Sequence, residues 1–257
     1  MKQSTKNILT VLFGLLALFG VFFIIFWAQG KLRTKGTLSI VPTAIDQTDV
    51  FKNSNSGIGT EISNKEAPKK QSLPSSFLLS VPFQPQAPMG DWSEPYENAC
   101  EEASIIMVKY YFDQKELSKD TMKREIDNAV AWEIENWGGH RDLDAHATAT
   151  LAKEYFGLSG KVVREYSTQY LEEIIHSGKP IIAPSAGRKL GNPNFRGIGP
   201  QYHMLVVIGY NNDKSLFITN DPGTRNGKSY VYNQKILSDA ISGPKENMAK
   251  EILVLEK

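Results

Sequence analysis

Residues 203–221 read HMLVVIGYNNDKSLFITND, and this stretch decides the fold class. Two apolar runs, 203–210 and 215–221, flank the polar residues 211–214, which is the pattern of two strands joined by a short turn. Strands joined in this way run antiparallel. Outward from this hairpin, further strands are predicted at 77–83, 161–166, 180–184, 229–232 and 251–255.

The helices are predicted ahead of the hairpin. In the first of them, apolar residues recur at i, i+3, i+4 and i+7 from Ala103 to Tyr110, and Asn98 and Glu101 have the spacing of a capping box. Because helices come first and adjacent strands later, we expect an α+β fold with N-terminal helices packed on a C-terminal antiparallel sheet. The predicted helices are 98–112, one within 119–135, 144–156 and 169–176.

The N-terminal part of the chain is predicted to be a membrane anchor and a linker. After a short tail, 1–7, the uncharged apolar segment 8–28 would be about 30 Å long as a helix, enough to cross a bilayer. A cleaved signal peptide is the alternative, since small residues follow at 28–30. Segment 29–76 is rich in Asn, Ser, Lys, Gly and Pro and is predicted to be a flexible linker, which leaves 77–257 as the folded domain.

The orientation of the anchor is not decided by charge, because basic residues flank both of its ends almost equally. A very short tail followed by a large domain favours export of the domain. We therefore expect a single-pass protein of the cell membrane whose domain lies outside the cytoplasm.

Composition excludes several classes of function. The chain has 29 Lys and Arg against 28 Asp and Glu, so it lacks the basic excess typical of nucleic-acid-binding proteins. It has 1 cysteine, which can form neither an internal disulfide nor a cysteine-rich metal site. Cys100 is therefore either an apolar core residue or a thiol kept for its reactivity.

Cys100 lies in the first turn of the first predicted helix, where the helix dipole favours a thiolate. The carboxylates of Glu101 and Glu102 directly follow and oppose it. A catalytic Cys100 therefore needs an imidazolium partner as well. The alternative is packing, because Cys100 lies on the same helical stripe as Ala103.

His203 is the best candidate for that partner among the 4 histidines, because it opens the first strand of the hairpin. With Tyr210 opposite Ser215, paired positions sum to 425, and a sum of 424 places His203 directly opposite Asp221. A carboxylate there would orient the imidazole. A register slip of one residue would present Asn220 instead, so Asp221 is the preferred of two candidates.

An oxyanion site needs hydrogen-bond donors as well. The backbone N–H of Cys100 at the start of a helix is one natural donor. Gln84 and Gln86 both lie upstream and could supply a side-chain amide, and residue chemistry alone does not separate them. The alternative is that both are polar turn residues between prolines.

Four segments together resemble a known family: VPFQPQAPMGDW (81–92), NACEEASIIM (98–107), GRKLGNPNF followed by GPQYHMLVVIGY (187–210), and FITNDPGTRNGKSYVY (217–232). They are similar to the double-glycine leader peptidase-like cysteine peptidases of the papain-like superfamily. The chain resembles a membrane-anchored member without a transporter, since it has one apolar span and no ATPase domain.

The resemblance implies a papain-like cysteine peptidase fold, with Cys100 as nucleophile, His203 as general base and acid, Asp221 orienting the imidazole and Gln86 supplying the oxyanion amide. The implied reaction is hydrolysis of a peptide or amide bond through an acyl-enzyme, which requires no metal or organic cofactor. The substrate would be a peptide or protein, including cell-wall peptides. A transglutaminase-like acyl transferase and a catalytically inactive peptide-binding module remain the alternatives.

Three other patterns are given lesser weight. Segment 223–229 resembles a phosphate loop but has one residue too few between its glycines and precedes a strand, so nucleotide binding is not expected. His140, Asp142, Asp144 and His146 have metal-ligand types, but Asp144 is better explained as a helix cap. The Gly- and Pro-rich loop 187–200 has the length of a substrate-binding loop.

Overall fold

The structure, a computed structural model, describes residues 72–242 and 249–257. The predicted anchor at 8–28 and nearly all of the predicted linker lie outside the described residues. Within them, no helix is long and apolar enough to cross a membrane. The helices are α1 (Cys100–Phe112), α2 (Lys119–Trp137), α3 (Ala145–Glu154), α4 (Thr168–His176), α5 (Gly187–Leu190) and α6 (Gln234–Ala240).

Seven strands of the described part form one antiparallel sheet in the order β2-β7-β3-β4-β5-β6, with β1 pairing β4 beyond the end of β3. The α+β class, with helices ahead of and packed on an antiparallel sheet, is confirmed. The strands are β1 (Ser76–Leu78), β2 (Ser159–Arg164), β3 (Ile181–Ser185), β4 (His203–Asn211), β5 (Leu216–Asn220), β6 (Tyr230–Asn233) and β7 (Glu251–Glu256).

The central strand β4 explains why residues 203–210 are apolar without alternation. Every residue from His203 to Tyr210 is buried, with β3 and β1 on one edge and β5 on the other. Helices α1 and α4 pack against it. A strand covered in this way needs apolar side chains at consecutive positions, because neither of its faces meets water.

The hairpin β4–β5 has a different register from the one predicted. Tyr210 lies opposite Phe217 rather than Ser215. Ser215 belongs to the turn, where it adopts a left-handed conformation with φ 53° after the 3-10 turn Asn212–Lys214. The register also shifts between Val207 and Gly209, and the ladder ends where Val206 faces Asn220. The predicted position of Asp221 directly across from His203 is therefore wrong.

The start of α1 also differs from the prediction. A 3-10 turn, Tyr96–Asn98, precedes it, and the N-cap residue is Ala99, which makes no side-chain cap. The Asn98 amide donates instead to the Glu94 carboxylate. The capping box is therefore wrong. By contrast, Asp144 accepts a hydrogen bond from the Ala147 N–H at 2.9 Å and caps α3 as predicted.

The remaining helices and strands match the predicted ones with three exceptions. β1 ends earlier than the predicted strand at 77–83, a stretch in which Pro82 has no N–H to donate to a sheet. The four-residue helix α5 is too short to show a helical period. Helix α6 was missed although Asn233 caps it through the Lys235 and Ile236 N–H groups, which is a recognisable start signal.

Candidate active site

A groove of about 860 Å³ lies at the N-terminal end of α1 and the start of β4. It holds three of the four predicted site residues, and the fourth, Asp221, lies behind one of them. A second cavity of about 540 Å³ borders the region 78–82 and contains none of them. The first groove is lined by Gln86, Trp92, Glu97, Asn98, Cys100, Asp142, Asn194, Phe195, Arg196, Gly197, Ile198, Gly199, Pro200, Gln201, Tyr202, His203, Gly223, Thr224 and Arg225.

His203 is fixed at the first residue of β4, where it pairs with Ser185 of β3. Its Nε2 lies 2.7 Å from Asp221 Oδ1. The ring of Phe195 packs edge-on against the imidazole, with centroids 5.2 Å apart. Because Nε2 donates to the carboxylate, the imidazole tautomer leaves Nδ1 as the nitrogen able to accept a proton.

Asp221 is fully buried and receives four hydrogen bonds although the ladder ends one residue before it. Besides His203, the donors are the Gly223 N–H to Oδ1 at 3.0 Å, and the Tyr232 hydroxyl and Asn192 amide to Oδ2 at 2.5 and 3.2 Å. Burial alone would raise the pKa of Asp221, but His203 and these donors hold it below its usual value.

The competing residue, Asn220, faces the other way. Its amide donates to the backbone carbonyls of Val81 and Pro82 at 3.0 and 3.3 Å, and its Oδ1 accepts from the Ser229 N–H. Asn220 therefore ties the hairpin to the segment after β1. Asp221 is the residue that contacts His203, although the pairing register used to predict that contact was wrong.

Cys100 is the first residue of α1 and only 4% exposed. Its Sγ–H donates to Glu101 Oε2 at 3.0 Å, and no hydrogen bond joins it to His203 within the described part of the chain. Burial, followed by the charge and hydrogen bond of Glu101, raises the pKa of the Cys100 thiol well above its usual value. The thiol therefore rests in its neutral form.

More acidic groups lie behind the thiol. Glu101, Glu102 and Glu133 are each fully buried, and Asp142 faces them from the loop before α3. Burial and the neighbouring Glu102 raise the pKa of Glu133 to about 10, so Glu133 is protonated at neutral pH. His140 Nε2 lies 3.5 Å from Glu102 Oε1.

The structure separates the two candidate oxyanion amides. Gln84 donates to the Leu117 carbonyl at 2.9 Å and does not line the groove, whereas Gln86 does. Both N–H groups of Gln86 are nevertheless used, because its Nε2 lies 3.0 Å from the Tyr96 carbonyl and 2.9 Å from that of Glu97. Its Oε1 is buried and finds no hydrogen-bond partner in the described region.

Of the four histidines, His203 alone is part of the groove lining in the described residues. His146 is exposed and lies near Glu251, and His176 packs edge-on against Phe77. Trp132 and Trp137 pack edge-on against each other and do not line the groove.

Several residues of the site were not found from sequence. Trp92, Phe195 and Arg225 line the groove, and Asn192 and Tyr232 bind Asp221. Asn192 lies in the loop 187–200, which was predicted to be a substrate-binding loop, but no short-range sequence pattern links that loop to Asp221.

The site therefore contains two sets of side chains. We call His203, Asp221, Asn192 and Tyr232 the base network. We call Cys100, Glu101, Glu102, Glu133 and Asp142 the nucleophile network. The first set surrounds one carboxylate with donors, whereas the second collects several carboxyl groups around a thiol.

Residues 78–242 match the model of the Peptidase_C39 like family. The chain belongs to this family. The match spans both networks and includes each of the four predicted site residues. Its membership places the chain among the C39-like peptidases.

Solved structures similar to this C39-like chain include two bacterial proteins. One is described as a C39-like peptidase from Bacillus anthracis, with 17% identity, a TM-score of 0.47 and coverage of 74% of this chain and 98% of its own. The other is xylellain, a cysteine protease from Xylella fastidiosa, with 13% identity, a TM-score of 0.40 and coverage of 77% and 94%. No curated protein matches the chain.

Proposed function

We propose that this protein hydrolyses peptide or amide bonds with Cys100 as nucleophile, His203 as general base and acid, and Asp221 as the group that orients the imidazole. The observation that carries the proposal is the 2.7 Å contact between His203 Nε2 and Asp221 Oδ1, in a groove that also reaches Cys100. This contact leaves His203 Nδ1 for proton exchange with the thiol.

In the proposed reaction, Cys100 Sγ attacks the substrate carbonyl after its proton passes to His203 Nδ1. The protonated imidazole then donates this proton to the leaving amine, and a water molecule, deprotonated by His203, hydrolyses the acyl-enzyme. The low pKa of Asp221 keeps its carboxylate charged, which stabilises the imidazolium formed in both steps.

The oxyanion that forms during attack needs donors. The backbone N–H of Cys100, at the first residue of α1, is the proposed first donor, and the helix dipole favours negative charge there. Gln86 is the proposed second donor. Because both of its N–H groups bind carbonyls, one of them must leave its acceptor when the substrate carbonyl enters.

A peptide-cleavage assay tests this assignment. Purified full-length chain is incubated with a peptide library, and products are identified by mass spectrometry alongside Cys100→Ala and His203→Ala. We expect cleavage by the wild type and loss of at least about 10³-fold in both variants, as for catalysts whose nucleophile and base act as a unit. Equal cleavage by wild type and Cys100→Ala would rule the mechanism out.

A second candidate function is a catalytically inactive peptide-binding module, which the buried neutral thiol of Cys100 favours. The same library distinguishes the two. A binding module enriches peptides from the mixture without cleaving them and does so equally in wild type and Cys100→Ala.

The setting of the domain is also a proposal. The apolar segment 8–28 would anchor the chain, 29–76 would act as a linker, and 77–257 would act outside the cytoplasmic membrane, so that its peptide or protein substrates include cell-wall peptides. Protease added to intact cells that express the full chain should then degrade the domain and spare a cytoplasmic protein. Protection of the domain until the cells are lysed would place it inside.

A further inference from the structure

Glu101 has no role in the proposed triad, yet it is the residue in contact with the nucleophile. Its side chain is fully buried, and its two carboxylate oxygens have different partners. Oε2 accepts the Sγ–H of Cys100 at 3.0 Å, and Oε1 accepts the backbone N–H of Leu143 at 2.8 Å. Glu101 therefore links the thiol to the loop that precedes α3.

That loop is itself held in place, which fixes the position of the carboxylate. The Tyr202 hydroxyl donates to the Leu143 carbonyl at 2.6 Å, and Tyr202 directly precedes His203. A buried carboxylate with two donors has little freedom to rotate away. The hydrogen bond from Cys100 is consequently a property of the packed site rather than of a mobile surface side chain.

The charges around the thiol favour its protonated form. Glu101 and Glu102 face it from its own helix, Asp142 faces it from the loop before α3, and His203 lies across the groove on β4. An S–H group that donates to a carboxyl oxygen is stabilised, whereas a thiolate would be repelled by each of these acids that is ionised. Burial and Glu101 together raise the pKa of the Cys100 thiol, and burial and Glu102 raise the pKa of Glu101 well above its usual value, so a charge on either side chain opposes a charge on the other.

We propose that Glu101 is a positioning residue that holds Cys100 as a neutral thiol, hydrogen-bonded to Glu101 instead of His203, until a substrate occupies the groove. This inference rests on the proposed function. On release, the S–H bond of Cys100 breaks and an N–H bond forms at His203 Nδ1, giving a thiolate and an imidazolium. Glu101 keeps its hydrogen bond from Leu143, and no other reactant takes part.

The consequence is a peptidase whose thiol is unreactive while the groove is empty. The pH profile of iodoacetamide alkylation of the full-length chain measures this directly, since iodoacetamide reacts with the thiolate and needs no peptide-binding site. In the empty protein, His203→Ala should leave the profile unchanged, because the thiol does not contact His203 at rest. A large fall in alkylation on removal of His203 would overturn the proposal.

Glu101→Gln is the informative variant, because it keeps the size of the side chain and an oxygen for the Leu143 N–H. It removes a carboxyl group whose ionisation opposes the thiolate, and it places an N–H donor against Sγ, which favours the thiolate. We expect the alkylation rate at pH 7 to rise at least about tenfold, which corresponds to a fall of about one unit in the pKa of the thiol. An alkylation profile identical to that of the wild type would overturn the proposal.

Two matched variants separate the effect of losing the Glu101 carboxyl group from the effect of disturbed packing. Glu172→Gln replaces a carboxyl group that is also buried but lies on α4, outside the nucleophile network, so its profile should match the wild type. Glu101→Asp keeps a carboxyl group on a shorter side chain and should also stay close to the wild type. Equal gains in reactivity for Glu101→Asp and Glu101→Gln would show that loosened packing, rather than loss of the carboxyl group, exposes the thiol, and the proposal would fail.

The outcome is distinguishable from failure of the proposed function. If Glu101→Gln shifts the alkylation profile but no peptide is cleaved, the control of the thiol by Glu101 stands and the peptidase assignment falls. If peptides are cleaved with dependence on His203 but the profile does not shift, the triad stands and the role of Glu101 falls.

Discussion

The base network and the nucleophile network lie on opposite sides of one groove, but they differ in how many hydrogen-bond donors surround their buried carboxyl groups. In the base network, Asp221 is one buried carboxylate with four donors. In the nucleophile network, the carboxyl oxygens of Glu102 and Glu133 have no hydrogen-bond partner in the described region, and the His140 imidazole lies 3.5 Å from Glu102 Oε1. In the proposed mechanism, His203 is therefore already oriented for proton transfer, whereas Cys100 is not.

Because of this difference, the two halves of the proposed site stabilise charged carboxyl groups to different degrees. A carboxylate surrounded by donors is stable when charged even in the core. Several carboxyl groups that share a buried space are not, and they keep protons that they would release in water. The position of His203 is therefore fixed by the fold, whereas we propose that the hydrogen bond of Cys100 changes when a substrate fills the groove.

The largest effect is expected from breaking the base network at its centre. Asp221→Asn removes the charge that stabilises the imidazolium and favours the wrong imidazole tautomer. We expect kcat/KM for a cleaved peptide to fall by about 10³-fold while the protein stays folded. Asp213→Asn, which alters an exposed carboxylate in the hairpin turn, is the control and should retain full activity. Retention of more than a tenth of the activity by Asp221→Asn would remove Asp221 from the mechanism.

The contribution of the nucleophile network to folding stability is expected to depend on pH, and Glu133 decides whether that contribution rises or falls. The pKa of Glu133 is about 10 in the folded protein, so the folded state binds a proton more tightly than the unfolded state. Its contribution to stability is therefore complete below its ordinary pKa of about 4.3 and is lost progressively as pH rises toward 10. Asp221 has the opposite sign, because its pKa is lowered and its contribution is lost as pH falls through that lowered value.

Glu133→Gln sharpens this contrast, because glutamine supplies an N–H donor to Glu102 without having to take up a proton. We expect the variant to gain on the order of 3 kcal/mol in the free energy of unfolding at pH 7 and almost nothing at pH 4. Urea unfolding of the full chain at both pH values measures the gain. Glu135→Gln, an exposed position on the same helix, should show no gain, and an equal gain at both pH values would contradict a protonated Glu133.

The base network was partly predictable from sequence, because His203 and Asp221 lie at the ends of one hairpin. Any hairpin brings its two ends together, so their contact survives an error in register. The register itself was not predictable, since Ser215 in the turn and the bulge before Gly209 depend on packing with β1. Asn192 and Tyr232 come from distant parts of the chain, and no local pattern links them to Asp221.

The nucleophile network was predictable in its charges but not in its geometry. The adjacency of Glu101 and Glu102 to Cys100 indicated opposition to a thiolate. The sequence did not show that Glu101 turns inward to the Leu143 N–H instead of capping the helix, nor that Glu133 approaches Glu102 from α2. Those contacts depend on how α1, α2 and the loop before α3 pack, which a single-sequence pattern does not encode.

The smallest of the expected effects comes from displacing the base without changing its chemistry. A Cβ on Gly223 would lie 2.7 Å from His203 Cε1 and 3.0 Å from the Phe195 ring, closer than such contacts allow. In Gly223→Ala the imidazole must therefore shift by several tenths of an ångström, and we expect kcat to fall by about tenfold with KM little changed. Gly139→Ala is the matched control, since its Cβ would meet nothing within 4 Å and its kinetics should equal those of the wild type. Because the atoms nearest to that Cβ belong to His203 and Phe195, alkylation of Cys100 in the empty protein should not change. A parallel change in alkylation would mean that the two networks move together rather than independently.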